Sequence, residues 1–196
     1  SQSVSITTND DEDSPLVTLT ASSSSVAENG GTSTLTATQN VVTASNTTVN
    51  LNTSGNATLN ADYSISSSTI TISAGSTSGT ATLTAITDQL DDDGEAIVVD
   101  ISSVSGANSV AENGTQQTTV TITDDDNASF TVTQTSGSTI VDESGSADNF
   151  TVVLGSQPTG NVTFSLSASD SSEVSISPLT LTFTSSNWNN AQTVTV

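Results

Sequence analysis

The chain is 196 residues long and carries 21 Asp and Glu against no Lys, Arg, His or Cys, a formal net charge of -21. That charge argues against nucleic acid or an anionic lipid surface as a direct partner, and no apolar run reaches the roughly 20 residues of a membrane helix. Ser and Thr supply 74 residues, about 38%, with Val, Ile and Leu as the main core formers, a composition that predicts an all-β chain.

In chain order, residues 3–11 (Ser-Val-Ser-Ile-Thr-Thr-Asn-Asp-Asp) are echoed at 119–127 (Thr-Val-Thr-Ile-Thr-Asp-Asp-Asp-Asn), a repeat one β domain long. Residues 1–13 therefore read as the last strand and acidic exit of a preceding module. Alternation of apolar and polar residues then predicts seven strands in a module over 14–126: A at 17–28, B at 32–38, C at 47–53, D at 63–72, E at 80–86, F at 96–102 and G at 118–123. Seven strands of this length suit an immunoglobulin-like sandwich. Residues 127–196 open a second sandwich, with a first strand from Phe130, then B at 150–154, C at 161–167, D at 174–183 broken at Pro178, and E at 192–196. Its last strands do not follow within this sequence.

Strand parity gathers the acids. If successive strands alternate in direction, the AB, CD and EF loops and the exit from G share one pole of the first sandwich. Those places hold Glu28, Asp62, Asp88, Asp91, Asp92, Asp93, Glu95, Asp124, Asp125 and Asp126, whereas the opposite loops hold only Glu112. Two carboxylates 5 Å apart repel by roughly 3 kcal/mol at an effective dielectric near 20, so the pole needs a cation that the chain does not contain. Calcium accepts six to eight oxygen ligands in flexible geometry. Zinc ordinarily recruits His or Cys. An EF-hand is excluded, because placing Gly94 at its sixth position puts Gln89 at its first.

The segments Ser25-Val-Ala-Glu-Asn-Gly-Gly31, Asn60-Ala-Asp-Tyr63, Ile72-Ser-Ala-Gly-Ser-Thr-Ser-Gly79, Asp88-Gln-Leu-Asp-Asp-Asp-Gly-Glu95 and Thr121-Ile-Thr-Asp-Asp-Asp126 together resemble a Calx-beta domain over about 14–126. That family occurs in sodium/calcium exchangers, integrin β4 and very large bacterial surface proteins. The resemblance implies a sandwich that binds Ca2+ at one end, with Glu28, Asp62, the 88–95 loop and Asp124 to Asp126 as ligands. Weaker metal candidates are Asp10, Asp11 and Asp13 before the first module, and Asp142, Glu143 and Asp170 in the second, where Glu173 shares their pole. The second module also resembles tandem sandwich modules of bacterial surface proteins.

Acid–base catalysis here would fall to carboxylate pairs, and the acids lie among Asp, Asn, Gly and Ser rather than against the apolar walls that raise a catalytic pKa. The sequence therefore reads as no enzyme. It reads as a calcium-binding structural repeat of a long extracellular or cell-surface protein or filament, a stalk or adhesin, stiffened by Ca2+ at its domain junctions. Its expected partners are adjacent modules or neighbouring copies of the same protein. The ragged ends suggest a window of a longer array; the alternative is a self-assembling filament subunit completed by strand donation.

Overall fold

Alternating burial builds the first sandwich. Its strands are β1 (Leu16–Ala21), β2 (Ser25–Ala27), β3 (Thr32–Gln39), β4 (Thr47–Gly55), β5 (Tyr63–Ile65), β6 (Thr69–Ile72), β7 (Ser78–Ala85), β8 (Ala96–Ser105), β9 (Ala111–Glu112) and β10 (Gln117–Thr123). In β3, Leu35 and Ala37 point inward while Thr34 and Thr36 face out, the period-two pattern of a strand with one wet face. The structure is a computed structural model that describes residues 3–5, 14–92, 94–106 and 109–196. Among these, no helix is long and apolar enough to cross a membrane. The chain forms two units, one of Ser1–Ile86 with Glu95–Thr123, the other of Thr87–Gly94 with Asp124–Val196.

In the first unit two five-stranded sheets, ordered β5-β7-β3-β1-β9 and β2-β10-β8-β4-β6, enclose one apolar core. Two expected strands are each divided between the sheets. Strand A becomes β1, antiparallel to β3, and β2, parallel to β10. Strand D becomes β5 on β7 and β6 on β4. Both breaks fall on serine runs, whose hydroxyls compete for backbone groups that a ladder would use. Ser23 Oγ donates to the carbonyl of Ser25 at 2.5 Å, and Ser67 Oγ donates to that of Thr69 at 2.7 Å. The short β9 was not expected. It runs parallel to the start of β1 and carries Glu112, whose Oε1 accepts the N–H of Gln116.

Backbone bonds draw the strand ends of the first unit together at one pole. The N–H of Glu28 donates to the carbonyl of Thr123 at 3.0 Å, Ala85 to Gly31 at 2.9 Å, Ile86 to Asp62 at 2.8 Å and Ile122 to Glu95 at 3.0 Å. The parity expectation for these strand ends therefore holds.

The second unit contains β11 (Phe130–Gln134), a 3-10 turn at Thr135–Gly137, β12 (Asn149–Leu154), β13 (Val162–Ser165), β14 (Thr180–Phe183) and β15 (Gln192–Thr195). Its sheets are β11-β12-β15 and β13-β14. These pairings repeat those of β1-β3-β7 and β4-β6, each antiparallel. The expected D strand is shorter than 174–183: only Thr180–Phe183 pairs with β13, while Ser177 bridges to Thr195. Pro178 lies between and has no N–H to offer a ladder. Thus D crosses between sheets here as well.

Candidate metal centre

Two stretches of the second unit carry the acids of interest, the loop Thr87–Gly94 and the segment that begins at Asp124. Each is irregular, and hydrogen bonds to side-chain or main-chain oxygens fix it. The N–H of Leu90 donates to Asp88 Oδ1 at 2.7 Å, a turn closed by an aspartate two residues back. The N–H of Asp92 reaches Asp124 Oδ2 at 3.3 Å, and that of Asp126 reaches Asp124 Oδ1 at 3.0 Å. Asp91 Oδ2 accepts the N–H of Ala128 at 2.6 Å. Gly94 closes the loop at φ 95°, in the left-handed region that glycine enters without strain.

The result is a knot of like charges. One carboxylate oxygen from each of Asp124, Asp125 and Asp126 lies within 4.8 Å of the other two. Desolvation first, then repulsion from Asp124, Asp125, Asp88 and Asp91, holds the Asp126 carboxyl above the ordinary aspartate value. This arrangement fits a hard divalent cation. Ligands 2.3–2.6 Å from one calcium ion can be at most about 5 Å apart, and three carboxylates already satisfy that limit. Every side-chain donor in the cluster is oxygen, which suits calcium or magnesium and not a soft metal.

The expected ligands are divided between the two units. Asp88, Asp91, Asp92, Asp124, Asp125 and Asp126 belong to the second unit. Glu28 is buried in the first, and its backbone bond to Thr123 sets it beside the residue that precedes Asp124. Gly31 makes that turn possible, since a Cβ there would meet the Ala27 carbonyl oxygen at 2.4 Å. Asp62 is half-buried and its Oδ2 accepts the N–H of Thr58 at 2.5 Å. Glu95 is half-buried and immediately precedes β8. Asp93 and the candidates Asp10, Asp11 and Asp13 lie outside the described residues.

In the second unit Asp142, Glu143, Asp170 and Glu173 are all exposed. Asp142 Oδ1 accepts the N–H of Ser144 at 2.9 Å together with its hydroxyl, and Asp170 Oδ1 accepts the same two groups of Ser172 at 2.9 and 2.6 Å. Each caps its own turn. Two residues that sequence patterning does not single out hold the acidic loop. Besides Ala128, the N–H of Gln157 donates to the carbonyl of Gln89 at 2.6 Å, and Leu90 bridges to Gln157 in parallel. Nothing in the local sequence at Gln157 marks this pairing, which joins residues some 70 positions apart.

The profile of the Calx-beta domain matches residues 10–126. Among solved structures, the apo form of the Calx CBD1 domain is 18% identical, with 57% of this chain and 99% of that one covered at a TM-score of 0.47. The CBD12 structure from CALX1.2 is 17% identical, with 87% and 69% covered at 0.46. A putative carbohydrate binding protein from Bacteroides ovatus is 12% identical, with 61% and 40% covered at 0.41. No curated protein sequence matches the chain.

Proposed function

The chain belongs to the Calx-beta family through residues 10–126, and from that premise we propose that it is a calcium-binding structural segment of an extracellular surface protein. The observation that carries this reading is the convergence of Asp124, Asp125 and Asp126 within 4.8 Å in a chain without Lys, Arg or His. Carboxylates so placed repel one another and have no protein cation to offset the repulsion. The proposed ligands are these three with Asp88, Asp91, Asp92, Asp93, Glu95, Asp62 and Glu28.

Bound calcium would supply the positive charge; the chain's residues would do the rest. Asp91 and Asp92 hold the loop against Ala128 and Asp124. Asp124 to Asp126 are at once ligands and the segment leading into β11, so fixing their side chains restricts the backbone that continues into that strand. The reading is therefore a mechanical one, a junction stiffened by a cation, with no catalytic step. A net charge of -21 and the absence of trypsin sites suit a protein that works outside the cell beside further modules of the same protein.

Thermal unfolding of the full chain, first with EDTA and then with added calcium or magnesium, tests the proposal. At calcium 100 times the dissociation constant the stabilisation is about 2.7 kcal/mol, or roughly 10 °C in the midpoint. The gain should be small with magnesium and absent in the variant carrying Asp92→Asn and Asp125→Asn. An unchanged midpoint with calcium would reduce the acidic loops to solvated turns.

One observation favours a second reading, self-assembly by strand donation. Phe130, Val132, Ile140 and Leu179 of the second unit are 51–70% exposed, and strand donation would cover apolar side chains of this kind. Light scattering across a concentration series separates a monomer from growing assemblies.

A further inference from the structure

We infer that Gln157, in the turn after β12, is a positioning residue for the metal cluster, acting through its backbone N–H on the loop that carries Asp88, Asp91 and Asp92. The inference rests on the calcium reading above and adds a residue that bears no charge. Among its described residues the loop Thr87–Gly94 contains no strand, so its order depends on where its backbone is anchored. Its attachments within the second unit include Gln157 N–H to the Gln89 carbonyl at 2.6 Å, the bridge between Leu90 and Gln157, Ala128 N–H to Asp91 Oδ2 at 2.6 Å and Asp92 N–H to Asp124 Oδ2 at 3.3 Å.

Gln157 is itself well held. Its Nε2 donates to the Ser185 carbonyl at 3.1 Å, and its neighbour Ser156 is buried. An anchor of this kind orders the loop before any ion arrives, so that ion binding does not have to supply the ordering entropy. Groups that orient metal ligands without touching the metal typically change affinity 10- to 100-fold when removed. Gln157 acts one step further out, through the main chain, and an effect near the lower end, about tenfold, is expected.

The test compares the full chain with Gln157→Pro, which lacks the N–H, and Gln157→Ala, which keeps it. Calcium affinity is read by titration calorimetry, and amide exchange at Leu90 and Asp92 is read in EDTA. Gln157→Pro should bind calcium about tenfold more weakly and exchange these amides faster with no metal present, while Gln157→Ala should match the parent in both. Exchange of the Gln157 amide itself in the parent chain in EDTA serves if Gln157→Pro fails to fold, since an amide bonded to the Gln89 carbonyl is protected. A folded Gln157→Pro with parental affinity and exchange, or an unprotected Gln157 amide in the parent, overturns the inference. A parent chain that binds no calcium overturns the calcium reading instead, and the exchange rates in EDTA then still report whether Gln157 orders the loop.

Discussion

The two units use the same pairing scheme and reach different degrees of closure. Among the described residues, nineteen buried apolar side chains fill the first, from Val17 to Ile122, and four fill the second, Val152, Leu181, Phe183 and Val194. The first closes because β8 and β10 extend the β4-β6 sheet and cover the face opposite β1-β3-β7. Among the described residues, the β13-β14 sheet has no counterpart of that pair. Phe130 and Val132 consequently stay about half exposed at 55% and 51%, whereas their topological equivalents in β1, Val17 and Leu19, are at 0% and 5%. A strand's pattern fixes which face is apolar, but burial needs a second layer. The second unit leans instead on aromatic contacts, with Phe164 edge-to-face on Phe130 and Phe183 at 5.0 and 5.9 Å.

The largest effects should come from attacking the two cores. Phe183→Ala is expected to cost about 3–5 kcal/mol, enough to erase the unfolding transition of the second unit, whose core has three other fully buried members. Leu35→Ala in the first unit should cost about 2–5 kcal/mol and lower a transition that remains cooperative, because eighteen other buried side chains persist. Calorimetry of the full chain reads both. Survival of a sharp second transition in Phe183→Ala would show that closure is not what separates the units.

Much of this architecture was legible in the sequence. Period-two alternation located every main strand, and parity alone brought the ends near Glu28, Asp62, Glu95 and Thr123 to one pole. The sheet crossings in strands A and D were not read, because an apolar pattern such as Val17, Leu19 and Val26 does not say which sheet supplies the ladder. Runs of serine at 22–25 and 66–68 were the available signal. The candidate site was legible as chemistry and less so as placement. Aspartates in a cation-free chain announce a need for a counterion, yet the anchors Gln157 and Ala128 are uncharged, and only tertiary structure sets them against the loop.

A smaller effect, with a change of sign, should come from Asp126→Asn. The folded-state pKa of Asp126 is raised, so the metal-free folded chain holds this proton more tightly than the unfolded chain does. Its contribution to stability therefore falls as pH rises from the ordinary aspartate value through the raised one, and at neutral pH the charge destabilises the fold. Asp126→Asn should raise the midpoint in EDTA at pH 7 and shrink the gain on adding calcium. A lower midpoint under both conditions would mean that Asp126 supports the fold by other contacts and that repulsion does not govern the cluster.

The smallest effects belong to Asp142 and Asp170, and their sign is the reverse. Hydrogen bonds from the hydroxyl and N–H of Ser144 lower the first, and the same groups of Ser172 lower the second. A depressed pKa contributes stability that is present above the unfolded value near 3.8 and is lost as pH falls through the folded one. Both side chains are exposed, so solvent screening keeps the contribution slight. The double variant with Asp142→Ala and Asp170→Ala should therefore differ from the parent mainly above pH 4, converge with it near pH 2, and keep the parent's calcium response in full. Midpoints recorded between pH 2 and 6, with and without calcium, check each part. A lost calcium response would place a second metal site in this unit, and the contrast between a repelling cluster and two self-capped turns would fail.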